Sequence, residues 1–250
     1  MTRYRLTIEY DGTDFVGWQR QDNGPSIQQE LEGAVQAFCG ETVVVQGAGR
    51  TDAGVHALEQ VAHFDIARDT NAATVRDALN AHLRPHPIAV LEVEAVSDEF
   101  HARFSAQARS YLYRIINRRA PLATQRHLAW HVSIPLNVDS MHAAAQRLIG
   151  KHDFSTFRAS FCQAKSPVRT LTSLAVTRHG ESIDISTTAP SFLHHQVRNF
   201  VGTLKLVGEG KWDADDISSA LEACDRKKGG ATAPPDGLFL TKVTYPPNSL

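Results

Sequence analysis

The stretch of sequence that decides the fold is GRTDAGVHA, residues 49–57, which follows a β-branched run at residues 42–45. It places a single carboxylate, Asp52, between an arginine and two glycines. Glycines permit backbone angles that are closed to other residues, and they let a bulky ligand approach the backbone closely. A loop of this composition can hold one acid at the end of a strand, although a lone G-R-T-D is also compatible with a turn that carries a solvated aspartate.

Around this loop, the first half of the chain alternates between two sequence periods. Alternating or β-branched patterns predict strands over residues 3–10, 42–45, 60–66 and 88–96. Apolar residues spaced three and four apart predict one helix that begins after Ser26 and ends at Gly40, and another over about 72–83. The order β-α-β-β-α-β is that of the ferredoxin-like split unit.

The second half of the chain repeats this theme loosely. Strands are predicted over residues 110–117, 171–178, 182–188 and 238–245, and helices over residues 139–150, 192–207 and 214–223. We place the boundary near residue 105, which gives an N-terminal domain of residues 1–105 and a C-terminal domain of residues 106–250. No linker rich in glycine or serine marks this boundary, which favours two halves that share an interface.

The overall composition is that of a globular protein. Of the 250 residues, 42% are hydrophobic and 21% are charged, so the chain can bury a sizeable core. Three cysteines, odd in number and far apart, indicate reduced thiols in a cytoplasmic protein and not a disulfide framework or a zinc site. No stretch has the length of a signal peptide or a membrane span, so we expect a soluble protein with no membrane partner.

The charges are distributed unevenly along the chain. Residues 1–99 hold 7 basic and 16 acidic residues, a net charge of −9, whereas residues 100–250 hold 19 basic and 11 acidic residues, a net charge of +8. Residues 100–138 contain six arginines and no acid: Arg103, Arg109, Arg114, Arg118, Arg119 and Arg126. A solvated strand face is one interpretation, but the asymmetry favours an electropositive track for a phosphate backbone.

Six further segments, taken with residues 49–57, resemble the tRNA pseudouridine synthase A family nearly from end to end. They are YDGTDFVGWQRQ (10–21), ARSYLYRI (108–115), KHDFSTFRAS (151–160), SPVRT (166–170), FLHHQVRNFVG (192–202) and PPDGLFL (234–240). Each segment alone is a weak signal, but all of them occur in the order of the family. The chain departs from the commoner family pattern at His194, Gln196 and Phe200, which affects packing and not chemistry.

The resemblance implies an α+β fold with two ferredoxin-like α/β-sandwich halves that share an extended, mostly antiparallel sheet and a central active-site cleft. It also implies an isomerase that converts uridine to pseudouridine at positions 38, 39 and 40 in the anticodon stem-loop of tRNA, acting as a homodimer. The N-terminal domain would carry the catalytic aspartate loop, and the C-terminal domain would complete the cleft and the RNA-binding track.

The reaction breaks the bond from ribose to the base nitrogen, turns the ring and rejoins it through carbon 5. It involves no redox change, so we expect neither a cofactor nor a metal. In the family the aspartate of this motif is the nucleophile, which assigns that role to Asp52, because a carboxylate can form a covalent intermediate and leave again. Attack on the base, attack on the sugar and initiation of an elimination all remain open.

Three more residues are assigned to substrate binding. Arg50, two residues before Asp52, would contact the RNA or fill the space left by the flipped base. Tyr111 matches the active-site tyrosine of the family, although strand periodicity alone does not distinguish it from Tyr113. Arg198, in an otherwise apolar helix, matches the basic residue that pairs with the catalytic aspartate and would keep it ionised.

Other classes of function fit less well. A non-catalytic RNA-binding module of ferredoxin-like fold would need stacking aromatics but no carboxylate paired to an arginine. A nucleotide hydrolase that uses Asp52 as a base would need a divalent cation. A metal site formed by Asp52 and His56 would require a helix at that spacing, which Gly54 disfavours.

Overall fold

The computed structural model describes residues 1–247, which form two compact units. The first unit comprises Met1–Arg109 together with the described residues from Phe239 onward, and the second comprises Ser110–Leu238. The sequence places one boundary near residue 105, whereas in the structure the chain also returns to the first unit at its end. The α+β class and the mostly antiparallel strand pairing confirm the predicted fold class.

The first unit contains the predicted split β-α-β-β-α-β order. Its elements are β1 (Thr2–Tyr10), α1 (Ile27–Cys39), β2 (Gln46–Gly47), β3 (His56–Ile66), α2 (Ala72–His82) and β4 (Ile88–Val96). Strand β1 lies between β4 and β3 and pairs with both in the antiparallel sense, and β2 pairs antiparallel with β3. The last strand, Leu238–Thr244, pairs in parallel with the first residues of β3 through Phe239 and Leu240, which explains its return to this unit.

Sequence period explains the core of the first unit. Alternate residues of β1, beginning at Tyr4, are buried, and α1 buries Ile27, Leu31 and Val35 along one face. The Ser26 side chain accepts a hydrogen bond from the Gln29 backbone at the start of α1. These elements therefore form where local pattern and capping agree.

The prediction of a strand over residues 42–45 is wrong, because its backbone groups bind helix side chains and not a neighbouring strand. The Val45 backbone N–H donates to the Glu32 carboxylate at 3.1 Å, and the Val45 carbonyl accepts from the Gln28 amide at 3.2 Å. Only Gln46–Gly47 pairs with β3. The segment before the Asp52 loop is thus attached to α1.

The second unit combines three helices with two sets of strands. Its elements are β5 (Ala108–Asn117, whose first two residues lie in the first unit), β6 (Trp130–Val132), α3 (Val138–Ala145), β7 (Gly150–Asp153), β8 (Val168–Leu171), β9 (Ser173–His179), β10 (Ser182–Ala189), α4 (Gln196–Gly208) and α5 (Ala214–Glu222). Within this unit, β5 lies between β6 and β10, and β9 pairs with β10. Strands β7 and β8 form a separate antiparallel pair.

Two helix predictions in this unit are too long. The helix predicted over residues 139–150 ends at Ala145, and a 3₁₀ turn at Gln146–Leu148 leads into β7. The helix predicted over residues 192–207 begins only at Gln196, because His195 adopts a left-handed φ of 62°. No helix among the described residues is long and apolar enough to cross a membrane.

Candidate active site

The Asp52 loop is a tight turn fixed by backbone hydrogen bonds. The Val55 N–H donates to the Asp52 carbonyl at 3.1 Å, which closes the turn. Gly54 has a φ of 75°, in the left-handed region that favours glycine. Asp52 itself is half-buried, and Arg50 on the same loop is exposed. The first unit therefore presents both predicted residues from one short, well-defined loop.

The opening motif, residues 10–21, packs against the Asp52 loop and forms backbone hydrogen bonds with it. The Trp18 N–H donates to the Thr51 carbonyl at 3.1 Å, and the Gly54 N–H donates to the Phe15 carbonyl at 3.3 Å. At Gly17, a Cβ atom would lie 2.5 Å from the Thr51 carbonyl oxygen and 3.0 Å from the carbonyl carbon of Asp52. Only a glycine lets the two backbones approach so closely, so the two motifs form one structural element.

Buried polar side chains support the same loop. The Tyr10 hydroxyl shares a hydrogen bond of 2.8 Å with the Thr51 hydroxyl and also binds the Gln60 side chain. The Gln60 amide in turn donates to the Gly49 carbonyl at 2.8 Å. Burial raises the pKa of Tyr10 to about 12, so its hydroxyl stays neutral and able to donate. Buried hydrogen bonds therefore fix the backbone of the loop that carries the Asp52 carboxylate.

Substituting Gly17 with alanine should disturb the Asp52 loop directly. A side chain at its φ of 111° is strained by about 1–3 kcal/mol, and the Cβ atom would also displace the Thr51 carbonyl. We expect Gly17→Ala to lower both the melting temperature and turnover, and to lower turnover even at temperatures where the variant remains fully folded. Thermal unfolding and turnover at saturating substrate measure the two effects separately.

Gly33→Ala is the matched control, because a Cβ atom at Gly33 in α1 would meet nothing within 4 Å. Alanine should stabilise that helix by about 0.5–1 kcal/mol and leave turnover unchanged. Full turnover in Gly17→Ala would contradict the supporting role of the opening motif.

Burial distinguishes the two candidate tyrosines of β5. Tyr113 is completely buried, its hydroxyl donates to the Pro234 carbonyl at 2.8 Å, and burial raises its pKa well above the ordinary value. Tyr111 is only half-buried, and its ring packs edge-on against Phe192 with the centroids 5.2 Å apart. Tyr113 is therefore a core residue, and Tyr111 is the better candidate for contact with substrate.

Arg198 lies in the first turn of α4 and is fixed to the segment before the last strand. Its Nε–H donates to the Ala233 carbonyl at 2.7 Å, and the Ala233 N–H donates back to the Arg198 carbonyl at 3.1 Å. Gly202, one turn further along α4, has no space for a Cβ atom because the Ala231 carbonyl lies against it. This close approach of two backbones sets the position of the guanidinium in the second unit.

The predicted electropositive track contains arginines of two kinds. Arg109 donates to the Ala48 and Arg103 carbonyls at 2.7 Å each, and Arg114 and Arg118 form ion pairs with acids of the same unit at 3.2 and 3.0 Å. Arg103, Arg119 and Arg126 are exposed. Hydrogen bonds or ion pairs within the protein thus engage Arg109, Arg114 and Arg118, which leaves the three exposed arginines as those best suited to phosphate.

Sequence reasoning missed the residues that position the site. The glycines and Tyr10 of the opening motif and the backbone of residues 231–233 act on Asp52 and Arg198 from distant parts of the sequence. The opening motif has a signal in the segment at residues 10–21, but a single sequence does not reveal which loop that segment supports. Residues 231–233 lie just before the segment at residues 234–240 and belong to no motif segment.

The chain is similar to known proteins along nearly its whole length. Residues 6–105 and 144–246 match the family described as tRNA pseudouridine synthase. The protein named tRNA pseudouridine synthase A from Rhodospirillum centenum is 62% identical over 245 residues, covering 98% of this chain and 100% of that protein. Proteins of the same name from Paramagnetospirillum magneticum and Rhodospirillum rubrum are 63% and 59% identical over 98% of this chain, covering 96% and 88% of their own lengths.

The α+β fold and these matches define an isomerase that acts on tRNA. The chain belongs to the tRNA pseudouridine synthase family, as the resemblance predicted.

Proposed function

We propose that this protein isomerises uridine to pseudouridine at positions 38, 39 and 40 in the anticodon stem-loop of tRNA, as a homodimer in the cytoplasm. The observation that carries the proposal is the single carboxylate of Asp52, held on a turn that the opening motif supports through Gly17 and Trp18. The family and the names of the relatives support tRNA as the substrate. The position in the tRNA and the dimer are carried over from the family resemblance.

In the proposed reaction, Asp52 acts as the nucleophile and is regenerated at the end. The bond from the ribose to nitrogen 1 breaks, a bond from the ribose to carbon 5 forms, carbon 5 loses its hydrogen as a proton, and nitrogen 1 gains one. Atoms and electrons therefore balance without an oxidant, a reductant or a second substrate. A carboxylate suffices for the covalent role because it is both a nucleophile and a leaving group.

The other assigned residues act on the extruded nucleotide. Arg50, exposed on the same loop as Asp52, would occupy the space that the flipped base leaves in the RNA. Tyr111 would stack on the uracil ring, and edge-on packing against Phe192 fixes the orientation of the tyrosine ring. Arg198 would supply positive charge to the carboxylate.

The test is the release of tritium from unmodified tRNA labelled at carbon 5 of uracil, because isomerisation exchanges that hydrogen with water. The wild-type protein should release label from a transcript with uridines at positions 38–40. A transcript with cytidine at those three positions and uridine elsewhere should release none. Release that does not depend on those positions would contradict the proposed site in tRNA, and the molecular mass in solution tests the dimer.

Reversing charge at the exposed arginines should weaken binding of tRNA. We expect the Arg119→Glu, Arg126→Glu double variant to bind tRNA more weakly. The slope of the logarithm of the binding constant against the logarithm of the salt concentration should become shallower by about one unit for each lost phosphate contact. Both side chains are exposed, so the fold should be unaffected. Titrations at several salt concentrations give the slope.

Arg76→Glu with Arg84→Glu is the matched control, because it makes the same change of charge at two exposed positions of the first unit. It should leave the salt slope close to that of the wild type. An unchanged slope in the Arg119, Arg126 variant would mean that these arginines form a solvated face and not a track for RNA.

A further inference from the structure

We infer that Phe161 is a stacking platform for an unpaired nucleobase of the tRNA substrate, next to the nucleotide that the enzyme modifies. The inference rests on the proposed function, because it assigns a second point of contact with the same RNA. Phe161 is 91% exposed, the most exposed aromatic side chain among the described residues. A single exposed apolar residue is common on protein surfaces, so the inference depends on how this residue is mounted and on what surrounds it.

Phe161 lies at the tip of a tight turn. The Cys162 N–H donates to the Ala159 carbonyl at 3.0 Å, which places Ser160 and Phe161 at the two central positions. The backbone before the turn is anchored by the Asn199 side-chain amide, which donates to the Phe157 carbonyl at 2.9 Å. The ring is thus presented to solvent from a fixed backbone, which lowers the entropy that binding costs.

The base of the turn lies in the core of the second unit. The Phe157 ring packs against the Phe200 ring of α4 with the centroids 5.1 Å apart, and Phe154 packs against the same ring at 5.5 Å. The segment that leads into the turn and helix α4 are therefore packed against each other in this cluster.

The same turn is attached to the segment that leads into Arg198. The Ala159 N–H donates to the His194 carbonyl at 2.9 Å, and α4 begins two residues later at Gln196. Phe192, in that segment, holds the Tyr111 ring. The turn is therefore bonded to the segment of this unit that carries the residues assigned to the target nucleotide.

The charge around Phe161 favours RNA over another apolar surface. Residues 154–168 contain two basic residues and no acid. Arg158 and Lys165 are three and four residues from Phe161, and Lys165 is exposed. Aromatic rings interleaved with cations are the usual platform for single-stranded nucleic acid, because the ring stacks on a base while the cations contact the backbone.

The test compares three substitutions at one position. Phe161→Ala should raise both the dissociation constant and the KM for unmodified tRNA about tenfold, the scale of one lost base–aromatic stack. Phe161→Tyr should keep wild-type affinity because its ring also stacks, and Phe161→Leu should resemble alanine because it is apolar without a ring. Turnover at saturating tRNA should be unchanged in all three variants, since no group of Phe161 takes part in the chemistry.

Ile134→Ala is the matched control, because Ile134 is another exposed apolar residue of the same unit, and it should leave the affinity for tRNA unchanged. Wild-type affinity in Phe161→Ala, or equal affinities of the leucine and tyrosine variants, would overturn the inference. So would a change of molecular mass in Phe161→Ala, which would assign the ring to contact with a second copy of the chain. If the wild type binds tRNA but releases no tritium, the proposed function fails while the series of dissociation constants still decides the role of Phe161.

Discussion

Asp52→Asn should abolish tritium release while the affinity for tRNA changes little. The amide is nearly isosteric with the carboxylate but is not a nucleophile, so turnover should fall by about 10⁴-fold or more, the scale seen when an enzyme loses a residue that acts in the chemical step. The fold should be retained, because the hydrogen bond that closes the turn is accepted by the Asp52 backbone carbonyl, which the substitution leaves in place. Single-turnover release at saturating tRNA and a separate binding titration measure the two effects.

Glu59→Gln controls for the loss of one negative charge near the loop. Glu59 is exposed on β3, seven residues after Asp52, and this substitution should leave both turnover and affinity unchanged. Appreciable release by a folded Asp52→Asn protein would exclude Asp52 as the nucleophile. A large loss of tRNA affinity in the same variant would instead assign the carboxylate to binding.

The elements that the sequence predicted well are those whose signals are local. Helix α1 lies between its N-cap Ser26 and its C-cap Gly40, as expected, because each cap acts within one turn of the helix. Strand β4 matches its predicted range, because its apolar alternation agrees with its position beside β1.

The elements that the sequence predicted poorly are decided by partners far along the chain. Residues 42–45 have strand propensity, yet Glu32 and Gln28 of α1 take the backbone groups of Val45 that a ladder would use. Propensity gives no information about such competition. The late start of α4 has a local cause instead, because the left-handed φ of 62° at His195 keeps that residue and those before it out of the helix.

The residues of the candidate site show the same difference between local and distant signals. The motif identified Asp52 and Arg50 because they are neighbours in sequence, and it could not identify Gly17 or Tyr10 as their support. Periodicity left Tyr111 and Tyr113 equivalent, and burial separated them, because only the packed structure shows which ring the core encloses. A sequence motif thus identifies the residues assigned to the chemistry, whereas the residues that position them are identified only from the tertiary packing.

The charge of Arg198 should control the pH at which the enzyme becomes active. In the proposed pairing, the guanidinium of Arg198 favours the ionised form of the Asp52 carboxylate, so removal of Arg198 should raise the pKa of Asp52. The nucleophile must be ionised. When the pH is lowered, Arg198→Met should therefore lose its activity at a higher pH than the wild type does. At pH values well above the shifted pKa, the variant should regain much of the turnover that it lacks at low pH.

Arg198→Lys should retain part of the activity, because the charge remains while the planar geometry that donates to Ala233 is lost. Arg226→Met is the matched control, since Arg226 is also half-buried and donates to Asn199 of α4 at 3.0 Å. That variant should lose stability without a shift of the acid limb. The measurement is kcat/KM against pH for the wild type and the three variants, because this profile reports the free enzyme. An acid limb in Arg198→Met that coincides with that of the wild type would mean that Arg198 binds RNA or supports the fold, and that another group keeps Asp52 ionised.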